Sequence, residues 1–336
     1  MPVTVVVGGQ FGSEGKGKVA HYLAKNMQAE YAVRCGGSNS GHTVIDESGN
    51  ICVFRHLPTA AILPNVKLAL CAGSYIDVEV LLQEIASAKI DEKRLIIDEE
   101  AVIITPECKA SEKLSGLISA IGSTGSGTGA AVAARIQRTE VTFAKDIPIL
   151  RPYLADVAGI LRDSLNKKAR IILEGTQGFG LSPLHSRLFP KVTSRDTTAG
   201  AFVAEAGLSP LDVDDIALVL RAFPIRVAGD SGPLENEISW DDITNEGKHS
   251  TPIYEYTSVT KKLRRVGRFD PEIVKRAIKI NQPTKIFLNH VDYLGNDICR
   301  SKKSLSEFTK TIEKQIYHEI VYCGTSAKNI ILLEDA

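Results

Sequence analysis

The feature that most constrains the fold is a short apolar run near the N-terminus that ends in a loop of glycines and lysines. Residues 3–18 read VTVVVGGQFGSEGKGK, and the eleven residues from Gly8 to Lys18 contain five glycines and two lysines. A β-branched run predicts a buried strand, and it stops at glycines where the backbone must turn sharply. Consecutive backbone N–H groups and the N-terminus of a following helix then form an anion site. The segment therefore predicts a strand that leads into a phosphate-binding loop.

This loop is close to a known phosphate-binding template but departs from it at one position. From Gly12 to Lys18 it matches G-x-x-x-x-G-K-[S/T], whereas Val19 stands where a hydroxyl would hold Mg²⁺. The pattern thus predicts a phosphate site whose metal takes its ligands elsewhere. The alternative is a glycine-rich turn in an ordinary α/β protein, and the two lysines with Ser13 and Glu14 argue against it.

Strand-like runs alternate with segments of helical periodicity along the rest of the chain. The runs lie at residues 31–33, 68–72, 95–97, 102–104, 171–173, 216–220, 285–288 and 330–333, and the helical segments at residues 18–27, 78–86, 130–138, 154–165, 271–280 and 305–320. This alternation predicts an α/β fold with a large, mainly parallel sheet and helices on both faces. No internal repeat or long linker divides the chain, so residues 1–336 are predicted to form one domain.

Composition excludes several classes of partner. Lys plus Arg and Asp plus Glu both number 40, so nothing in the net charge indicates a nucleic-acid or membrane-surface partner. The six cysteines contain no C-x-x-C pair, which predicts reduced thiols in a cytoplasmic protein. We find neither a signal peptide nor a stretch of eighteen apolar residues, so no membrane span is expected.

Five further segments carry side chains suited to binding or catalysis. They read RCGGSNSGHTV at 34–44, AIGSTGSGTGAAVAARIQR at 120–138, ILEGTQGFGLSPLHSRLFPKVTSRDTTAG at 172–200, TSVTKKLRRVGRFD at 257–270 and FLNHVDYLG at 287–295. The first surrounds His42 with small residues that leave the ring reachable, and the second opens a helix with hydroxyls that form another anion site. Taken singly, each segment also has a structural reading: a satisfied histidine, a linker, a turn, a solvated run of charge or a helix cap.

Taken together, these segments resemble the signature motifs of the adenylosuccinate synthetase family. The family reads GQWGDEGKGK, GGxNAGHT, IGTTGxGxGPA, EGxQG and VTSxxTTAG where this chain has GGQFGSEGKGK, GGSNSGHT, IGSTGSGTGAA, EGTQG and VTSRDTTAG. Ser13 stands where ordinary members carry a catalytic aspartate, and Phe11 replaces a tryptophan. These departures resemble the phage branch of the family, the 2-aminoadenylosuccinate synthetases, which act on dGMP rather than IMP.

The resemblance implies a reaction and its participants. L-aspartate would be joined to C6 of dGMP through a 6-phosphoryl intermediate, giving N6-succino-2-amino-2'-deoxyadenylate for diaminopurine DNA. The energy would come from ATP or dATP with Mg²⁺, and GTP stays open because Asp292 can accept hydrogen bonds from guanine. Lys262 replaces a family arginine, which we interpret as compatible with a deoxyribose. The resemblance further implies a homodimer, located in the host cytoplasm if the protein is phage-encoded.

The resemblance also implies roles for residues of the matching motifs. Catalysis would involve Ser13, His42 and Gln177, with His42 as an imidazolium that donates a proton near the purine O6. The triphosphate would contact Gly12, Glu14, Gly15, Lys16, Gly17, Lys18, Gly41, Thr43, Asp292 and Gly324. The nucleotide dGMP would contact Ser13, Asn39, Ser123, Thr124, Gln177 and Thr193, with Arg138 reaching its phosphate from a second subunit. Thr260 and Arg264 would bind aspartate, and Ser13 with the Gly41 carbonyl would bind Mg²⁺.

Ser13 changes the expected chemistry. An aspartate carboxylate, whose ordinary pKa is about 4, can act as a base towards the purine N1 proton, whereas an alcohol at neutral pH cannot without help. Serine is smaller, leaves room for a 2-amino group, and can accept a hydrogen bond from it. A site that bonds this amine would disfavour hypoxanthine, by up to about 10⁴-fold in the strongest cases.

Three alternatives stay open at this point. The first is an ordinary adenylosuccinate synthetase that uses IMP and GTP and tolerates Ser13. The second is a nucleotide-binding regulatory protein that has lost turnover along with the catalytic carboxylate. The third is a P-loop kinase, which Val19 and the lack of a recognisable second Mg²⁺ motif disfavour.

Overall fold

The computed structural model describes residues 2–257 and 261–333, and its centre is a sheet of ten strands. These strands are β1 Val3–Gly8, β2 Tyr31–Arg34, β5 Lys67–Leu70, β7 Leu95–Asp98, β9 Leu154–Ala155, β10 Ile171–Glu174, β11 Val213–Arg221, β15 Lys285–Asn289, β16 Tyr322–Gly324 and β17 Ile330–Leu332. They lie in the order β17-β16-β15-β11-β1-β10-β2-β5-β7-β9. All neighbouring pairs are parallel except β16 with β17.

Three smaller sheets surround the central one. Their strands are β3 His42–Ile45, β4 Ile51–Phe54, β6 Tyr75–Ile76, β8 Val102–Ile103, β12 Ile225–Arg226, β13 Glu237–Ile238 and β14 Arg265–Gly267. Strands β3 and β4 form an antiparallel hairpin, β6 and β8 pair in parallel, and β14 lies between β12 and β13. The hairpin and the three-stranded sheet were not predicted from the sequence, since most of their strands are too short for a periodic pattern.

Eleven α-helices connect the strands of the described chain. They are α1 Lys16–Asn26, α2 Val78–Ser87, α3 Pro106–Leu114, α4 Leu117–Ile121, α5 Thr128–Gln137, α6 Val157–Asn166, α7 Ala199–Glu205, α8 Trp240–Glu246, α9 Pro271–Asn281, α10 Asn296–Arg300 and α11 Lys302–Ile316. Short 3-10 turns lie at Thr59–Ile62, Glu92–Arg94, Ala144–Asp146, Pro148–Tyr153, Phe179–Leu181, Pro210–Asp212 and Val291–Leu294. None of the helices described has the length and apolar character that a membrane span requires.

Two apolar cores, one on each side of the central sheet, confirm the predicted fold class. In β1, Val3, Val5 and Val7 belong to one core, whereas Val6 belongs to the other. Successive side chains of a strand point to opposite faces, so the two cores cover the two faces of the sheet. Helices α6, α7, α9 and α11 pack into the first core, and α1 and α2 into the second.

The start of α6 differs from its prediction for a local reason. The sequence predicts a helix over residues 154–165, but Leu154 and Ala155 pair with β7 as the edge strand β9. Asp156 then caps α6, because its carboxylate accepts a 3.0 Å hydrogen bond from the Gly159 N–H. A capping aspartate just inside an apolar run was the signal for this boundary.

The carboxyl ends of the central strands place polar side chains along one edge of the sheet. Arg34, Glu174, Arg221 and Asn289 are the last residues of β2, β10, β11 and β15, and each is at most 1% exposed. The glycine loop follows the central strand β1 at the same edge. Because the strands are parallel, these residues and the loop lie together, and the candidate site is built on them.

Candidate active site

A cavity of about 1210 Å³ opens above this edge and brings together most of the predicted site residues. Its walls include the predicted Gly12, Ser13, Gly15, Lys16, Gly17, Lys18, Asn39, Gly41, His42, Thr43, Ser123, Thr124, Gln177, Thr193, Arg264 and Asp292. Glu14, Arg138 and Gly324 do not line it, and Thr260 lies outside the described residues. Segments up to 280 residues apart in sequence therefore meet at one site, as the motifs predict.

The phosphate loop is folded around its own carboxylate. Glu14 is fully buried, and its Oε1 accepts hydrogen bonds from the backbone N–H groups of Gln10 at 3.1 Å and Gly12 at 2.8 Å. Its Oε2 lies 2.7 Å from the Lys16 Nζ, which is itself 3% exposed. The Glu14 side chain thus fixes the loop from inside, and a triphosphate contact predicted for this residue would have to come from its backbone.

Glycines in and beside the loop allow a close packing around Asn289. Gly15 has a φ of 90°, and a Cβ there would lie 2.7 Å from the Asn289 Nδ2. The same Nδ2 donates a 2.8 Å hydrogen bond to the Glu14 carbonyl. A Cβ on Gly324 would collide with the Asn289 amide from the other side. Gly324 therefore supports the loop through Asn289 while standing outside the cavity wall.

Lys18 lies at the cavity wall, and its ammonium loses its proton more readily than that of an ordinary lysine. Its Nζ donates a 2.9 Å hydrogen bond to the Ser326 carbonyl. Burial lowers the pKa of Lys18 to about 8, and the nearby carboxylate of Asp292 opposes only part of this shift. An anionic ligand beside Lys18 would favour its charged form.

His42, the first residue of β3, is held by a buried carboxylate. Its Nδ1 lies 2.5 Å from the Glu174 Oε1, and the ring is 8% exposed at the cavity wall. Burial, with the charge of Arg34, lowers the pKa of His42 to about 4 in spite of Glu174. The predicted imidazolium is therefore not the form that this ligand-free site favours at neutral pH.

Ser13 is presented to the cavity by an unusual backbone conformation. It has a φ of 58°, and its side chain is exposed. The Ser13 carbonyl accepts a 3.0 Å hydrogen bond from Nη1 of Arg221, a fully buried arginine at the end of β11. The neighbouring Glu14 carboxylate is bonded within the loop, so the loop presents a hydroxyl rather than a carboxylate to the cavity at this point.

Glu255 contacts two arginines and a tyrosine, and one of the arginines, Arg221, also bonds the Ser13 carbonyl. Its carboxylate pairs with Arg221, lies 3.5 Å from the Arg264 Nη1, and accepts a 2.9 Å hydrogen bond from the Tyr293 hydroxyl. Burial, the largest single influence, opposes ionisation, but Arg221, His290 and Arg264 together outweigh it and lower the pKa of Glu255 to about 2. Two cations then share one anion, and the excess positive charge suits a substrate carboxylate at Arg264.

The loop predicted to hold the nucleotide phosphate contains an incompletely paired carboxylate. The Ser123 hydroxyl donates a 2.5 Å hydrogen bond to Oε1 of Glu112, a residue of α3 that is 6% exposed. Within the described chain, the buried Glu112 Oε2 has no hydrogen-bond partner. Thr124 bonds Ser126 at 3.1 Å rather than a backbone group. A phosphate at these hydroxyls would have to displace or neutralise Glu112.

Gln177 and Thr193 reach the cavity from the loops after β10. Gln177 has a φ of 60°, and a Cβ on the following Gly178 would come within 2.4 Å of the Gly12 N. This glycine lets the two loops pack against each other, which brings Gln177 beside the phosphate loop. The backbone N–H of Thr193 is fixed by a 2.8 Å hydrogen bond to the Leu181 carbonyl.

Sequence reasoning missed four residues that support the site. Glu174, Arg221, Glu255 and Thr59 position predicted residues or their neighbours, but they belong to no assigned role in the motifs. For Glu174 and Arg221 a signal was present, since each directly follows a predicted buried strand, where a charged residue needs a partner. For Glu255 and Thr59 the sequence shows no comparable signal.

Comparison with known proteins identifies the family. A family model described as adenylosuccinate synthetase matches residues 5–147 and 141–300. The chain belongs to the adenylosuccinate synthetase family. The adenylosuccinate synthetase of Pyrococcus sp. (strain ST700) is 36% identical over 326 residues, which cover 94% of this chain and 93% of the relative. That of Methanocaldococcus jannaschii is 38% identical over 315 residues, 93% of this chain and 87% of the relative.

Two solved structures share the architecture of this synthetase. Cyanophage S-2L succinoaminodeoxyadenylate synthetase (PurZ), bound to dGMP and to dATP as an energy donor, matches with a TM-score of 0.84 and 29% identity over 99% of this chain and 95% of that one. Adenylosuccinate synthetase from Plasmodium falciparum matches with a TM-score of 0.85 over 99% and 100%, and its 20% identity shows the fold alone. As a family member, the chain is a ligase that forms a carbon–nitrogen bond.

The predicted metal ligands, Ser13 and Gly41, offer oxygen donors, which are the type that Mg²⁺ prefers. Within the described residues, no group of three or more His, Cys, Asp or Glu side chains could hold a metal ion. Ser13 and Gly41 instead offer a neutral hydroxyl and a carbonyl at the cavity wall. Mg²⁺ prefers oxygen ligands and is commonly bound through substrate phosphates with few protein groups, which agrees with this donor set.

Proposed function

We propose that this synthetase joins L-aspartate to C6 of dGMP, using ATP or dATP, and so makes N6-succino-2-amino-2'-deoxyadenylate. The observation that supports this proposal most directly is the Ser13 hydroxyl at the cavity, where the family carries a carboxylate. The phage PurZ, which binds dGMP and dATP, aligns with 99% of the chain. A hydroxyl in this place leaves room for the guanine 2-amino group and can accept its hydrogen bond.

The other roles follow the same proposal. His42 gains a proton with the bound phosphoryl group and donates it near O6, while the amide of Gln177 binds the purine edge. Asn39, Ser123, Thr124 and Thr193 bind the nucleotide, and Arg264 and Thr260 bind aspartate. Gly12, Gly15, Lys16, Gly17, Lys18, Thr43 and Asp292 surround the triphosphate, with Glu14 and Gly324 supporting its loop. Arg138 would complete the phosphate site from a second copy of the chain in a homodimer.

Mg²⁺ would be held by Ser13 and the Gly41 carbonyl together with phosphate oxygens. When bound, the ion would offset the negative charge of the transferred phosphoryl group. The choice of ATP or dATP over GTP rests on the phage relative. The proposed compartment is the cytoplasm.

One alternative has an observation of its own in its favour. The archaeal adenylosuccinate synthetases are 36–38% identical to the chain, whereas the phage PurZ is 29% identical. An ordinary adenylosuccinate synthetase acting on IMP with GTP would keep the same fold and most of the same site. It would need a proton acceptor other than Ser13, and the nearby Glu255 is unsuited because its pKa is about 2.

A crossed substrate assay tests the proposal. Phosphate release and product formation would be measured with ATP, dATP and GTP against dGMP, GMP and IMP, each with L-aspartate. We expect the highest kcat/KM for dGMP with ATP or dATP, and a shift towards IMP in Ser13→Asp. Faster turnover of IMP by the wild type would favour the ordinary enzyme. Nucleotide binding without any phosphate release would indicate a non-catalytic protein.

A further inference from the structure

The buried carboxylate of Glu174 has no role in the proposed reaction, although it lies directly behind His42. It ends the central strand β10, is 1% exposed, and does not line the cavity. We propose that Glu174 is a positioning residue that orients the His42 ring and holds its proton on Nδ1, so that Nε2 faces the cavity. This inference rests on the proposed function, because that function gives His42 a proton to donate.

The hydrogen bonds of Glu174 determine which nitrogen of His42 carries the proton. Glu174 Oε2 accepts from the Thr59 N–H and Oγ1, both at 2.8 Å, so the carboxylate is held from the side opposite to His42. An ionised carboxylate can only accept, so the His42 Nδ1 at 2.5 Å must be the donor. In a neutral ring the proton then lies on Nδ1, and Nε2 is left as the acceptor towards the cavity.

A buried arginine keeps the Glu174 carboxylate ionised. Arg34 is fully buried, and its Nη1 lies 3.7 Å from the Glu174 Oε1. Burial opposes ionisation of Glu174, but His42, Arg34 and the Thr59 N–H together lower its pKa. The carboxylate is therefore an acceptor on both sides, which requires Nδ1 of His42 to donate.

Thr59 connects this pair to the phosphate loop. Its hydroxyl lies 2.8 Å from both the Gly17 carbonyl and the Glu174 Oε2, and its single hydrogen can serve only one of them at a time. A Cβ on Gly17 would lie 2.7 Å from the Thr59 Cγ2 and 3.0 Å from the His42 Cβ. The position of His42 is thus set jointly by Glu174 and by the first turn of α1, where the phosphates are expected.

The test reads the tautomer of His42 directly. In ¹⁵N NMR of the ligand-free wild type, with the resonance assigned by its loss in His42→Gln, we expect Nδ1–H and an unprotonated Nε2. In Glu174→Gln the amide oxygen is required by the Thr59 N–H, so the NH₂ group faces the His42 Nδ1. Nδ1 must then accept, and the proton should move to Nε2.

Kinetics of the same variants test the consequence for turnover. For Glu174→Gln we expect kcat to fall about 100-fold while the KM values change less than about threefold. The matched control is Glu84→Gln, because Glu84 is also buried, at 7% exposed, and accepts backbone N–H groups of Arg55, His56 and Leu57. The control should keep the wild-type tautomer and kcat.

The outcomes separate this inference from the proposed function. An Nε2–H tautomer in the wild type, or wild-type kcat in a folded Glu174→Gln, would overturn the positioning role. If Glu174→Gln does not fold, the wild-type tautomer decides, and Thr59→Val should retain Nδ1–H with a less than tenfold fall in kcat. Failure of the wild type to turn over any purine nucleotide would refute the proposed function, while the tautomer shift would still decide the role of Glu174.

Discussion

Two buried carboxylates, Glu14 in the phosphate loop and Glu112 behind the Ser123 loop, show how differently the two sides of the site are completed. Glu14 is saturated by two backbone N–H groups and by the Lys16 ammonium. Glu112 accepts one hydrogen bond from Ser123, and its second oxygen is buried without a partner in the described chain. The buried groups of the phosphate loop are therefore paired within the loop, whereas the Ser123 side presents a carboxylate oxygen that has no partner in the described chain.

The largest effect on stability is expected at Glu14, in the phosphate loop whose buried groups are paired. Glu14→Gln would keep an acceptor for the Gly12 N–H but leave the Lys16 ammonium buried without its anion. Breaking a buried ion pair in this way should lower the free energy of unfolding by about 3 kcal/mol. Urea unfolding of the ligand-free protein measures it. A change below about 1 kcal/mol would mean that the loop is not held by this carboxylate, and the comparison with Glu112 would fail.

The phosphate-loop side of the site is also the side that the sequence predicts best. The phosphate loop, β1 and α1 form one continuous segment, so local glycine, valine and lysine patterns predict the strand, the turn and the helix together. The carboxyl-edge location of the site also follows, because parallel strands bring their ends together. Most of the residues that the family motifs assign to the site, including Asn39, Ser123 and Gln177, lie in the cavity wall.

What the sequence could not predict depends on partners that are distant in the chain. Glu174 and Thr59 are 115 residues apart, and Arg221 bonds Ser13 across 208 residues. The strand ends mark Glu174 and Arg221 as charged residues that need a partner, but no local pattern shows that the partners are Thr59 and Ser13. The inward direction of the Glu14 side chain was also missed, because the motif gives its place in the loop but not the side to which it points.

A second prediction concerns Arg264 at the proposed aspartate site, where two arginines share the single carboxylate of Glu255. Arg264→Lys replaces a planar fork by a point charge beside Glu255, and the buried Arg264 Nε has no partner among the described residues. Loss of charge-assisted hydrogen bonds of about 1.5–3 kcal/mol should raise the KM for aspartate about 10- to 100-fold. Arg265→Lys is the matched control, because Arg265 pairs with Glu237 outside the cavity wall. An unchanged aspartate KM in Arg264→Lys would remove this residue from the aspartate site.

A third prediction uses the lowered pKa of Lys18. Because this pKa is about 8, the ammonium is largely charged at pH 7 and largely neutral at pH 9. If its charge helps to bind the triphosphate, affinity should be high at pH 7 and should weaken up to about tenfold by pH 9. Equilibrium binding of the triphosphate across this range is the measurement. Lys18→Arg stays charged and should flatten the profile, and an unchanged slope would assign the pH dependence to another group.

The smallest effect is expected at Glu112, where the chain leaves a charge uncompensated. Glu112→Gln retains an acceptor for the Ser123 hydroxyl and removes a negative charge next to the proposed nucleotide phosphate. The KM for the nucleotide should fall about threefold, while the free energy of unfolding changes by less than about 1 kcal/mol, unlike that of Glu14→Gln. Glu107→Gln is the control, since Glu107 lies exposed on the same helix α3. A higher nucleotide KM together with weaker self-association would show instead that Glu112 is the anchor for a cation from a second copy, and the unfilled side of the site would then be completed by assembly rather than by substrate.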